Sequence, residues 1–510
     1  MDNSSNNKRI AKNTMMLYFR MTLTMVVSLY TSRVLLNTLG IEDFGIFSVV
    51  GSIVILFEFI NGSMSASTQR FLSFEMGKGS NHELTKIYSM SINIHVIIAV
   101  ITLLLAETLG LWFVKTQLTI PDERLDAALW VYHFSVFSFI LTILRVPYNA
   151  AIIANEKMQA FAIISVIDVS LKLLIVFILL VLDFDKLKLY GLLVLGATVI
   201  ISFLYKAYCN YKFRNLRYKW KWDKGLFKTL LSFAGWNLWS NIAFIAFTSG
   251  VNILLNIFFG PGVNAARGIA YQVSGALNSF VTNLRVAMNP QIIKSYSAND
   301  IGYMNQLAFA GSKFSFYLLL VLSIPVLIET EAILRMWLDI VPEYTTLFCR
   351  LVIINTMIDC IAAPLTTIAQ ATGKIKFYHL ITGLLYFSIL PISYLLLKFQ
   401  LPPEIPHYVN IFISLIALFT QIFMISRLVK FSKAGFLKEV IIPIIYVTLL
   451  AIILPLTIYF SLANGLPRFF YVTTVAVFSC LISIYFVGMN IQEKRILIAK
   501  LSSAIKNRVG

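Results

Sequence analysis

The sequence predicts an all-α polytopic membrane protein of about 14 transmembrane helices, with two six-helix lobes around a central cavity and two additional C-terminal helices. Three observations lead there. Hydrophobic residues make up 58% of the chain and charged residues only 13%, a balance no ordinary soluble domain approaches. Apolar stretches of about 18 to 28 residues recur from end to end, long enough to cross a roughly 30 Å hydrocarbon core as helices and too long for barrel strands. Lys and Arg concentrate in alternate loops, the positive-inside pattern of a multi-pass chain with both termini in the cytoplasm.

In order, the expected spans lie near 12–38, 44–70, 87–110, 127–149, 160–182, 189–209, 229–259, 263–288, 307–328, 345–368, 377–398, 408–428, 441–461 and 469–488. The loops between them are short and leave no room for a soluble catalytic domain. The start, MDNSSNNKRIAKN, runs into a span too long for a signal-peptide core, so no cleaved leader is expected. The longest interruption of hydrophobicity follows the sixth span. It divides the chain into an N-terminal lobe (1–210), a basic interfacial linker (211–228), a C-terminal lobe (229–430) and a final pair of spans with a basic tail (431–510). The stretch NYKFRNLRYKWKWDKG (210–225) reads as a surface helix, with its cations on anionic headgroups and its Trp and Tyr at the interface.

A net charge of +18 would suit a nucleic-acid partner, but its placement follows membrane topology, and none is expected. Cys209, Cys349, Cys360 and Cys480 are scattered without CxxC spacing, and the five histidines form no HExxH, so no metal site is expected. His95 and His133 read as helix-packing residues. No GxxxxGK[ST] loop is present to bind ATP, and the cofactor reading is none, apart from coupling to Na⁺ or H⁺.

The two lobes echo each other. LLNTLG at 35–40 matches LLNIFFG at 254–260, each followed by a helix rich in Gly, Ser and Asn, as in parallel repeats that rock around a central site. At about 100° per residue, Gly51, Glu58, Asn61, Gly62, Ser65 and Gln69 of the second span share one face. The eighth span carries Arg267, Tyr271, Ser274, Asn278, Thr282 and Arg285 on one stripe, and a shift of 220 positions brings Gly51, Glu58, Gly62 and Ser65 onto Tyr271, Asn278, Thr282 and Arg285. Arg20, Thr24 and Thr31 on the first span, and Asn237, Asn241, Thr248 and Asn252 on the seventh, complete four polar walls. Small polar residues also support close helix packing. The charges, at about 2.5 to 3.5 kcal/mol each to insert, argue for a water-filled cavity instead.

The remaining intramembrane charges are sorted by position. Arg33 is turned about 140° from Arg20 and lies near Glu42 and Asp43, which suits snorkelling or an ion pair. Asp168 and Lys172 are four apart, acid first, the favourable order for an intrahelical pair, and a cavity-facing pair of that kind also exchanges protons or meets phosphate. Asp359, beside Asn355, has no evident local partner, and with Glu58 it is the stronger candidate for ion or proton coupling.

Residues 8–79 then add a resemblance. KRIAKNTMMLYFRM, SLYTSRVLLNTLGIEDFGIFSVVG and FINGSMSASTQRFLSFEMGKG are similar to the opening of bacterial O-antigen and capsule flippases, polysaccharide transporters of the multidrug/oligosaccharidyl-lipid/polysaccharide superfamily. The rest of the chain agrees in span count and lobe division without a sharp motif. The resemblance implies translocation of undecaprenyl-diphosphate-linked oligosaccharide from the inner to the outer leaflet of the bacterial inner membrane. It further implies polysaccharide-assembly proteins as partners and diphosphate binding by Arg20, Arg267 and Arg33, while the lobed architecture needs only one chain and so a working monomer is expected. Arginine suits that role because its planar donors stay charged at any working pH. Two alternatives stand beside it. A cation-coupled multidrug antiporter of the same superfamily would want an anionic, aromatic cavity, and a membrane polysaccharide polymerase or ligase would want a large external loop.

Overall fold

In a computed structural model, the structure describes residues 13–27, 30–31, 34–35, 38–39, 43, 46–47, 58–79, 81–116, 121–213, 216–220, 222–259, 261–338, 341–491 and 493–495, and among them there is helix and loop but no strand. Helical residues 13–27 come first. The long helices that follow are α1 (Glu58–Lys78), α2 (Asn81–Leu105), α3 (Leu125–Ala154), α4 (Met158–Val181), α5 (Lys186–Lys212), α6 (Lys224–Phe259) and α7 (Pro261–Ser297). Then come α8 (Ile301–Ile328), the short α9 (Thr330–Trp337), α10 (Thr345–Thr372), α11 (Lys376–Lys398), α12 (Ile405–Leu428), α13 (Ile442–Ser461) and α14 (Leu466–Ser483). Ten helical stretches among the described residues are long and apolar enough to cross a membrane, fewer than the fourteen expected. α7, with its polar stripe, is not one of them.

Internal contacts group the chain into two compact units, residues 1–242 with 286–300 and residues 243–285 with 301–510. Both α6 and α7 are therefore shared, each giving its loop-distal portion to one unit.

In the first unit α3 is central. Ala127, Ala128, Val131, Tyr132 and Val136 recur at helical spacing and bury one face against Leu187 of α5 and against Ala106 and Val114 beyond α2. α2 ends in a π-helical turn, Ala106–Gly110, where the ladder is locally broken and Tyr132 donates its hydroxyl to the Ala106 carbonyl. Gly110 is required by that approach, since a Cβ there would lie 2.2 Å from the Tyr132 hydroxyl.

The second unit is cored by Phe247, Val251 and Leu255 of α6, Ala266 and Ala270 of α7, Phe348 and Val352 of α10, and Ile413 of α12. Two buried ion pairs tie in the C-terminal segment: Arg468 of α14 forks onto Glu329 at 2.9 and 3.0 Å, and Lys313 of α8 meets Glu493 at 2.8 Å. Along α13 and α14 the outward side chains are Leu, Ile and Phe, as a lipid-facing surface requires.

The linker corrects one expectation. Residues 213, 216–220 and 222–223 form no helix. Their polar groups are satisfied instead by side chains of α2: the Tyr218 hydroxyl donates to Asn93 Oδ1 at 2.8 Å and the Lys219 amide to Ser89 Oγ at 3.1 Å.

Candidate functional site

Helical residues 13–27 place Arg20 with its guanidinium 4.7 Å above the ring of Phe161 on α4, a cation–π contact. Thr24, one turn on, donates to its own helix at Met21 O. All of Arg33 and the side chains of Glu58 and Asn61 fall outside the described residues, although α1 itself begins at Glu58.

Helix α1 divides by face. Ser63 and Ser67 are buried, where Ser63 Oγ accepts from Asn241 Nδ2 at 2.8 Å and Ser67 donates to Leu230 O at 3.2 Å, so small hydroxyls join α1 to the first half of α6. Gly62 faces open space, with Ser65 and Gln69 half-buried further along. Asn237 is buried and turns back to Phe233 O of its own helix at 3.0 Å. Asp168 and Lys172 form an intrahelical pair at 2.9 Å on a partly exposed face of α4.

In the second unit Arg267 is buried, stacked 4.5 Å over Tyr271, and donates Nη1 to Asn252 Oδ1 at 3.3 Å. Its Nε and Nη2 are buried without an acceptor, so the guanidinium retains hydrogen-bonding capacity. Further along α7, Tyr271, Asn278 and Arg285 line a cavity of about 300 Å³ closed by Asp359 on α10, Tyr386 on α11 and Asn410 on α12.

Asp359 does have local partners, which corrects the expectation that it has none. Asn355, one turn earlier, donates Nδ2 to Oδ2 at 2.8 Å, and Tyr386 donates its hydroxyl to Oδ1 at 3.2 Å. The Oδ1 atoms of Asn355 and Asn410 are buried at the same cavity without donors. A carboxylate, two amide oxygens with spare lone pairs and a phenol form an oxygen-rich nook that suits a proton or a hard monovalent cation.

Sequence reasoning missed Tyr386 and Asn410, because on α11 and α12 they are neutral polar residues among several others, such as Thr382, Ser393, His407 and Gln421, with no charge to single them out. It also singled out no role for Arg70, which is buried against Phe71, Phe74 and Phe233, each ring centroid 4.5 to 5.5 Å from the guanidinium. His133, read as packing, pairs with Glu107 at 3.1 Å.

No family model matches the chain. The uncharacterized membrane protein EpsK of Bacillus subtilis (strain 168) is 23% identical over 290 residues, a match that covers 56% of this chain and 56% of that protein. The chain superposes on a multidrug resistance MATE family transporter of the MOP superfamily in its outward-facing conformation, with TM-score 0.69, 13% identity, and coverage of 83% of this chain and 96% of the other. It superposes similarly on the MATE transporter ClbM in complex with Rb⁺, with TM-score 0.65, 15% identity, and coverage of 84% and 96%. The fold is that of MATE transporters of the MOP superfamily. The chain is a multi-pass membrane protein with that helical architecture.

Proposed function

We propose that this chain is a membrane transporter that works by alternating access and carries an anionic cargo, coupled to a monovalent cation or proton at Asp359. The observation that carries the cargo half is Arg267: a buried guanidinium over Tyr271, held by a neutral amide, with two N–H groups awaiting an acceptor. Arginine in such a setting favours a multidentate oxyanion. With the resemblance of residues 8–79, the finer reading is an undecaprenyl-diphosphate-linked oligosaccharide moved from the inner to the outer leaflet of a bacterial inner membrane. Arg20 and Arg267 would hold the diphosphate. The amide and hydroxyl walls formed by Ser65, Gln69 and Asn278 would meet the sugars, and an inside-negative potential would assist outward movement by about 2.3 kcal/mol per charge per 100 mV. Both termini would be cytoplasmic, and the working division would be two six-helix lobes separated by the basic linker.

A second reading, the cation-coupled antiporter of drugs or other small molecules, has support at least as direct. Solved proteins sharing this fold include MATE transporters, one described as multidrug resistance and one as bound to Rb⁺, and the Asp359 nook suits a cation.

Deletion in the native host, with no redundant flippase present, separates the two. Loss of lipid-linked glycan from the outer leaflet, reproduced by Arg267→Ala at normal protein level, supports the glycan cargo. Unchanged glycan display together with raised sensitivity to cationic drugs overturns it in favour of the antiporter.

A further inference from the structure

The geometry points to a recognition surface for acidic phospholipid headgroups, made by strapping linker residues 216–220 and 222–223 across the first turns of α2. Three contacts define the strap. Tyr218 reaches Asn93, the Lys219 amide reaches Ser89, and Asp223 pairs with Lys86 at 2.7 Å. Asn93, Ser89 and Lys86 lie at i, i−4 and i−7, a single stripe of one helix, so the linker runs antiparallel to α2 along that stripe. Phe213 and Leu216 are buried and fasten its other end.

The part of α2 under the strap intersperses Lys86, Ser89, Ser91, Asn93 and His95 with apolar residues, and its uninterrupted apolar run begins at Val96. That boundary is where a helix leaves hydrocarbon for headgroups, so the strap lies at headgroup level. Between its anchors it turns Trp220 outward, 78% exposed, and Trp222, 51% exposed. Indole rings favour that interface, with an apolar body and a polar edge. Lys212, Arg217, Lys219, Lys224 and Lys228 are exposed around them, and the one acid of the segment, Asp223, is already engaged by Lys86. The result is a cationic, aromatic strip without compensating negative charge, held in place by side-chain contacts. A leaflet containing acidic phospholipid is the charge-complementary occupant.

The test uses the full-length protein in vesicles of phosphatidylcholine alone and of phosphatidylcholine with phosphatidylglycerol. Tryptophan quenching by brominated phosphatidylglycerol should exceed quenching by brominated phosphatidylcholine at equal mole fraction by about threefold at low salt, and the excess should collapse in about 0.5 M salt. The excess should vanish in W220F/W222F, which assigns it to these rings. It should fall in K212Q/R217Q/K219Q and persist in the charge-preserving K212R/R217K/K219R, which controls for folding. Equal quenching by both lipids in the wild type overturns the proposal. So does an excess that survives W220F/W222F, or exposed rings in both vesicle types that are shielded only by added nucleic acid or a soluble protein.

Discussion

Each compact unit sets a carboxylate beside basic residues, and the two settings differ in what completes them. In the first unit, Glu156 occupies the turn between α3 and α4 with a fully buried side chain, where it accepts from Gln291 Nε2 at 2.7 Å and from Lys294 Nζ at 2.6 Å. Its own carbonyl accepts from Asn13 at 3.2 Å. In the second unit, Asp359 is only partly buried and faces a cavity where two amide oxygens lack donors. A carboxylate with saturated partners is a fastening; one beside unspent hydrogen-bonding capacity is poised to take a ligand.

The backbone agrees with that reading for Glu156. The Lys157 amide bonds Ile152 O and the Glu156 amide bonds Ile153 O, a Schellman ending to α3 in which the left-handed position, φ 57°, is normally given to glycine. A side chain accepts the roughly 1 kcal/mol cost of that conformation when its contacts repay it. Here those contacts join helical residues 13–27, the α3–α4 turn and the last turns of α7.

The largest effect on stability should therefore come from Glu156→Ala. It leaves the Lys294 ammonium, 17% exposed, without its carboxylate and strands Gln291. A loss of about 3 to 5 kcal/mol is expected, read as a lowered midpoint in thermal unfolding of the detergent-solubilised protein. A change below about 1 kcal/mol would break the contrast by making Glu156 dispensable.

Asp359→Asn should invert the pattern. The amide keeps a hydrogen-bonding group beside Asn355 and Tyr386, so stability should move by no more than about 1 kcal/mol. Coupled transport in proteoliposomes should fall at least about tenfold, because the nook loses the carboxylate proposed to carry the coupling ion or proton. Undiminished, ion-dependent transport by this variant would reduce Asp359 to another fastening.

How much of this was legible in the sequence follows from the range of the forces involved. Membrane helices announce themselves through composition alone, because every backbone group must be satisfied within its own segment, and α8 and α10 through α14 fall where apolar runs placed them, while the short α9 was not expected. The α7 stripe was legible as a period, and Tyr271, Asn278 and Arg285 do line one cavity. The walls were not all alike: Asn241 and Ser63 meet in a helix–helix contact, because a face of Ser and Asn has the same periodicity whether it packs or opens. Glu156 could not be found, since its partners lie 135 and 138 positions away and no local pattern encodes a contact of that separation. The linker misled for a related reason. Its basic and aromatic residues suit a surface helix, but α2 offers Ser89 and Asn93 to take its hydrogen bonds instead.

The smallest effect expected is a pH response at the strap. The hydrogen bond from Lys86, helped by the Leu226 amide, holds the Asp223 carboxyl below the usual carboxylate range. A group whose folded pKa is depressed stabilises the docked form above its unfolded value and loses that contribution as pH falls through the folded one. Docking of 218–223 should thus be flat across neutral pH and weaken only in acid, below the ordinary carboxylate range near 3.8. Because Trp222 lies against Phe227 in a tilted ring contact at 5.0 Å, one residue from Asp223, its emission reports the transition. In Asp223→Asn the acid transition in emission should be absent while the Tyr218 and Lys219 anchors still hold the strap to α2. A transition that survives in this variant would move the titrating group elsewhere and leave Asp223, like Asp168, as one more exposed pair of little consequence.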